Sequence, residues 1–327
     1  MAKNKKNRNK HGGHPGVQRS APPEVLLKLD MGFLNASVVS VHEWRHAQIV
    51  LVGCGGIGSF LAQHIARLLH VLCREPVGPG FRDEGERQKA GHLTLVDPDN
   101  VEEGNLGRQL FCAAELGLPK AQALANRYGQ ALGLNCSYYA GKYSDSLLLE
   151  SDLTVIVGCV DNAEARRSLH ETLQHNEGPM DPSIWWLDRG NLYDTGRVLL
   201  GSAYDSRGLR MAFLEENKCG ALPSPAVQFP GLLKPEPEEI GDSTLSCREL
   251  AERNLQSLNI NALVAVHAAD MLSRLLLTRD LRRFQAEVNL AAGTSKSTYV
   301  TADEVSRVSG KPVSFLTTRP ELGSLDA

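Results

Sequence analysis

QIVLVGCGGIG, residues 48–58, joins a short β-rich apolar run to a glycine turn. A helical pattern follows over residues 59–73, with Leu61, Ile65, Leu68 and Leu72 at three- and four-residue steps. Strand, turn and helix in that order make a βα unit. Gly53, Gly55 and Gly58 fit G-x-G-x-x-G, and Gly56 adds a fourth glycine. Such a turn lets the backbone approach phosphates at a helix N-terminus, which carries partial positive charge. The turn could equally be tight and empty, so by itself it leaves ATP, NAD and no ligand all open.

The same alternation continues along the chain. HLTLV (92–96), CSYYA (136–140) and DLTVIVGCV (152–160) read as strands, with a helix over Lys120 to Leu132 and another after Asp161. SIWWLD (183–188), GRVLLGS (196–202), FQAEVNL (284–290) and TYVT (298–301) add further strands. Alternating strands and helices predict a doubly wound α/β fold, a mostly parallel sheet covered on both faces. Glu75 to Lys89 reads as a loop insertion. Glu215 to Ser246 has five prolines and no periodicity, and loops of that length are usually functional. A long apolar helix is expected over Glu249 to Leu277. The expected boundaries are a basic tail over 1–24 with nothing to bury, a single domain over 25–305 with the 215–246 loop inside it, and a loose end over 306–327.

Hydrophobic residues form 42% of the 327, and the net charge is −3, which disfavours a generic nucleic-acid binder. No run is long and apolar enough for a bilayer, and the N-terminus has no signal-like apolar core. The seven cysteines are scattered with no C-x-x-C pair, which fits a reducing cytoplasm and gives no zinc framework.

DPDNVEEGNLGRQLF, residues 97–111, places Asp97, Asp99, Asn105, Arg108 and Gln109 after a core strand, with Lys120 close behind. A strand-end acid such as Asp97 suits ribose hydroxyls and suits a turn equally well. A nicotinamide site needs no such polar cluster, whereas a triphosphate needs cations to balance it. Asp161 ends a buried strand just before a helix, the place where open α/β sheets hold ligands and where a carboxylate could bind Mg²⁺. Asp161-Asn162 could also simply cap the helix. Ser246-Cys247-Arg248-Glu249 reads as a capping box, which would set Cys247 in a first helical turn beside Arg248, where thiolate is favoured; an inert cysteine fits the same position.

GCGGIG, DPDNVEEGNLGRQLF, GLPKAQAL and CVDNAEARRSL, in this order, resemble the ThiF/MoeB/ubiquitin-activating (E1-like) superfamily. NLGRQLF, WLDRGN with GRVLLG, and NINALVA are similar to the ThiF-like proteins of bacterial ParB-related, ThiF-related (PRTRC) plasmid cassettes. The resemblance implies Mg·ATP-dependent adenylation of the C-terminal carboxylate of a ubiquitin-like carrier protein. It implies Asp97 on the ribose, Asn105, Arg108 and Lys120 on the phosphates with Gln109 in support, and Asp161 on Mg²⁺. Arg166 matches a downstream arginine with a structural role, and Cys247 falls where some members form a thioester.

The resemblance also implies a homodimer in the cytoplasm, a conjugating-enzyme-like partner, and a trans-acting arginine for which Arg19 and Arg45 are candidates. Relatives' zinc pairs have no counterpart beside Cys219, so no zinc is expected. Adenylation of a small-molecule or tRNA carboxylate, an NAD-dependent oxidoreductase and a non-catalytic plasmid-maintenance module are the competing readings.

Overall fold

A computed structural model describes residues 31–77, 88–176, 182–191, 194–235 and 258–319. The chain divides at Met31/Gly32, and the unit described below is the second. The basic tail, Arg19, most of the 75–89 insertion, and Cys247 with its capping box lie outside the described residues.

Eight strands form one sheet. They are β1 (His46–Val52), β2 (Ala90–Val96), β3 (Asn135–Tyr139), β4 (Leu153–Gly158), β5 (Ile184–Asn191), β6 (Thr195–Gly201), β7 (Arg283–Asn289) and β8 (Thr294–Tyr299). Their spatial order is β8-β7-β6-β5-β4-β1-β2-β3. The five strands β3-β2-β1-β4-β5 are all parallel, and β6, β7 and β8 continue the sheet antiparallel. The sheet is therefore doubly wound and mixed. The antiparallel half arises because β5 and β6 are only a few residues apart, too close for a crossover helix.

Helix α1 (Gly56–Leu72) follows β1, α2 (Lys120–Leu132) precedes β3, α3 (Ala163–Thr172) follows β4, and α4 (Leu258–Leu276) precedes β7. Alternation along each strand divides the core in two. Ile49, Leu51, Leu93, Leu95, Val155, Val157, Trp185 and Leu187 pack on one face with α1, α2 and α4. Val50, Val52, Val96, Ile156, Ile184 and Trp186 pack on the other with Leu169 and Leu173 at the end of α3. Fully burying each such side chain contributes about 1.5–3 kcal/mol.

α4 packs its apolar residues within the chain. Ile260, Val264, Ala265, Ala268, Met271, Leu272, Leu275 and Leu276 are all buried in the core shared with α1. One apolar residue of α4, Val266, stays 50% exposed.

The 215–246 loop and the C-terminal end are both built into the fold where they are described. The described part of the 215–246 loop is ordered: Lys218–Cys219 pairs with Val38–Val39, and short helical turns occupy Pro225–Gln228 and Pro230–Leu233. The stretch after Gly310, expected loose, holds a helix over Val313–Thr317 with Leu316 fully buried. Phe315 and Leu316 accept backbone hydrogen bonds from Met211 and Phe213. Helix α5 (Ala302–Ser309) leads into it and crosses the 305/306 boundary.

Candidate functional site

The glycine turn lies where β1 meets α1, at the carboxyl edge of the parallel strands. Gly53 has φ +91°, and a Cβ there would stand 2.3 Å from the Cys159 carbonyl oxygen at the end of β4. A Cβ on Gly58 would stand 1.9 Å from the Gly53 oxygen. Both glycines are therefore required by close backbone approach. Gly55 is different: a Cβ there would meet only the Gln109 amide, at 3.8 Å. Helix α1 starts at Gly56, three residues earlier than its periodicity predicts, so its free N–H groups fall within the turn itself.

Asp97 is 5% exposed and binds the turn directly. Its Oδ2 accepts the Cys54 N–H at 2.5 Å, and its Oδ1 accepts the Asp99 N–H at 2.8 Å. Burial raises its pKa, opposed by these two N–H donors and by Lys120. Each carboxylate oxygen keeps a lone pair for a further donor such as a hydroxyl.

Lys120 is buried at the first position of α2, with its Nζ 2.9 Å from Asp99 Oδ2. Two of its three N–H donors remain beyond that bond. Asn105 closes a 3-10 turn over Glu103–Asn105, its Oδ1 accepting the Glu102 N–H at 2.9 Å, which leaves its amide group as the free end. Arg108 is half-buried, and among the described residues its side chain donates only to the Gly104 carbonyl, at 3.4 Å. Gln109 is buried, and among the described residues its Oε1 has no hydrogen-bond partner. A buried acceptor left open beside the glycine turn calls for a donor, such as a ligand hydroxyl or N–H.

Asp161 is exposed two residues beyond Cys159, and among the described residues its Oδ1 accepts only the Asn162 amide, at 3.3 Å. The helix cap is Asn162, whose Oδ1 accepts the Ala165 N–H at 2.8 Å, so Asp161 is not needed for capping. Among the described residues no group of three or more His, Cys, Asp or Glu side chains could hold a metal ion. A Mg²⁺ at Asp161 would thus take its remaining ligands from phosphate and water, which suits that ion.

Four residues that the sequence reading did not single out for the site shape its frame. Asp188, 1% exposed on β5, lies 3.4 Å from the Arg166 Nε. Arg166 also donates to the Val160 carbonyl at 2.9 Å, and Arg189 donates to the carbonyl of Cys159. Two guanidinium groups thereby hold the two carbonyls that lead into Asp161. Burial raises the Asp188 pKa to about 6 against the pull of Arg166 and Arg189. On the opposite face, the Asn191 amide donates to Asn261 Oδ1 at 2.9 Å, and the Asn261 amide donates to the Arg108 carbonyl at 3.4 Å. Asn261 is 1% exposed on α4, and a Cβ on Gly56 would meet its amide at 2.9 Å. Polar residues inside WLDRGN and NINALVA were the only signal for this frame.

The cysteines are passive where they are described. Cys54 and Cys159 are buried, and burial raises both thiols. Burial pushes Cys219 up to about 12, and its thiol donates to the Ala221 carbonyl. Cys112 is exposed. Arg45 immediately precedes β1, at the end of that strand away from the glycine turn.

Over 131 residues the chain is 27% identical to the adenylyltransferase and sulfurtransferase UBA4 of Yarrowia lipolytica, covering 39% of this chain and 28% of that one. Over 140 residues it is 26% identical to the molybdopterin-synthase adenylyltransferase of Haemophilus influenzae, covering 42% of this chain and 49% of that one. The chain thus matches less than half the length of either relative. A crystal structure of E. coli MccB with ATP superimposes with a TM-score of 0.49 at 14% identity, covering 78% of this chain and 64% of MccB. Residues 29–221 match the ThiF family, more than half of the sequence, and the chain belongs to that family.

Proposed function

We propose that this protein adenylates a carboxylate with ATP, and that the carboxylate is the C-terminus of a ubiquitin-like carrier protein. The observation that carries the reading is the cluster of Asp97, Lys120 and the unpartnered Gln109 around a turn that only glycine can build. Relatives named as adenylyltransferases support the reaction class.

In this reading a carboxylate oxygen attacks the α-phosphorus of ATP. The bond from that phosphorus to the bridging oxygen breaks, pyrophosphate leaves, and an acyl-adenylate forms. Asp97 accepts hydrogen bonds from the ribose hydroxyls. The N–H groups at the start of α1 face the phosphates. Arg108 and Lys120 offset the charge that moves onto the leaving group, and the amides of Asn105 and Gln109 orient phosphate oxygens. Asp161 would hold Mg²⁺, which supplies further charge neutralisation on the phosphates. The protein contributes position and charge and forms no bond to the nucleotide in this step. Cys247, outside the described residues, is the proposed thiol for any later thioester.

ATP–pyrophosphate exchange with purified candidate carriers tests the reading. Exchange should need both carrier and Mg²⁺. Arg108→Ala and Asp161→Ala should each lower its rate by about 10²–10³-fold, the usual effect of removing one charge-stabilising group. Normal exchange in Asp161→Ala would remove the metal role, and tighter binding of NAD than of ATP would sink the nucleotide assignment. Cys247→Ala should keep exchange and lose any thiol-sensitive conjugate.

A further inference from the structure

Strands β5 to β8 floor a cavity of about 680 Å³ on the face that carries α3. Its floor contains one row of directly opposed residues. Gly190 pairs with Arg197, Arg197 with Glu287, and Glu287 with Lys296. Directly opposed residues project from the same face of a sheet, so these four form a line across the cavity. The line starts beside Asp188 and Arg166 and runs away from the nucleotide site. Gly190 contributes no side chain, and a Cβ added there would meet nothing within 4 Å, so the floor is open between β4 and Arg197.

Charge along the row is unbalanced. Arg166 is already paired with Asp188. The Arg197 guanidinium carbon lies over the Phe229 ring, 4.0 Å from its centroid, and the side chain forms no ion pair among the described residues. Glu287 and Lys296 likewise have none there. Two cations against one carboxylate leave one excess positive charge. Contact with the ring and the forked donors of the guanidinium make Arg197 the better anion partner of the two.

Strands are about 4.8 Å apart, so Arg197 on β6 stands roughly 10 Å from the end of β4. An extended peptide covers that span with about three residues, at about 3.3 Å each. We propose that this groove selects C-terminal tails that carry an acidic side chain about three residues before the terminal carboxylate, with Arg197 as its partner. The proposal rests on the adenylation reading, because it takes the groove as the path of the carboxylate to ATP.

The test is fluorescence polarisation of the full chain with fluorescein-labelled heptapeptides of Gly and Ser that end in a free carboxylate. One Asp is moved in turn from the second to the sixth position from the end. Asp at the third or fourth position should bind about tenfold tighter than the neutral peptide, the scale of one charged hydrogen bond. Lys at that position should bind more weakly than neutral. Arg197→Glu should invert the preference to Lys, and Lys296→Glu should leave the Asp preference at that position in place. A preference that persists in Arg197→Glu, equal binding at all positions, or no binding of any peptide would overturn the proposal. Peptide preferences as expected with no pyrophosphate exchange would instead remove the adenylation reading and leave the groove assignment standing.

Discussion

At the scale of single residues, Asp188 shows how a buried charge supports the site without touching it. It is the counter-charge that lets Arg166 and Arg189 stay inside and hold the Cys159 and Val160 carbonyls. Asp188→Ala would leave a buried guanidinium without its carboxylate, which costs about 3–5 kcal/mol. Urea unfolding of the variant measures this directly. The pH dependence has a definite sign. The folded pKa is about 6, raised from the ordinary 3.8, so the folded state binds the extra proton between those values. This group's contribution therefore favours folding at low pH and is lost as pH rises from about 4 to about 6. In the wild type this slope adds to those of other carboxylates, so it is read as the difference from Asp188→Asn, whose stability should lack it. Asp97 was legible in the sequence because it ends a strand after a glycine turn. Asp188 was not, since an acid within an apolar strand gives no sign of its partners.

At the scale of elements, the reading of β1, α1 and α2 was close because each has a simple period and clear ends. α2 runs over Lys120–Leu132 as predicted, stopped by Gly133 in the left-handed conformation. The helix after β4 is capped by Asn162 rather than Asp161 and gives way after Thr172 to a 3-10 turn over Leu173–Asn176. The role of α4 was harder to see. Its apolar residues predict a buried helix and leave its neighbour unspecified, and one polar residue among them, Asn261, joins β5 to the polar run after β2. Asn261→Ala would leave the Asn191 amide and the Arg108 carbonyl without this partner. The expected cost is about 1–3 kcal/mol, with weaker ATP binding as the strand-to-loop tie is lost. Isothermal titration with ATP and a parallel denaturation curve separate the two effects. Unchanged affinity would confine Asn261 to stability.

At the scale of the whole molecule, the C-terminal helices belong to the domain. Leu316 is fully buried and the chain around it bonds to Met211 and Phe213. Leu316→Ala should cost about 2–5 kcal/mol, whereas a loose tail would show none. A thermal melt of the variant decides between them. Composition and periodicity were enough to establish an α/β chain, because hydrophobic spacing reports which side of each element is buried. The glycine turn and the polar run pointed to the carboxyl edge as the candidate site, because phosphate approach restricts residue type locally. The order of the sheet, the change to antiparallel strands after β5 and the line from Gly190 to Lys296 come from pairing between residues far apart in sequence. Local patterns carry no information on such pairs, since register is set by which strands meet. The sequence by itself determined the chemistry available at the carboxyl edge. Only the tertiary structure decided which buried partners hold that chemistry in place and which charges are left facing the groove.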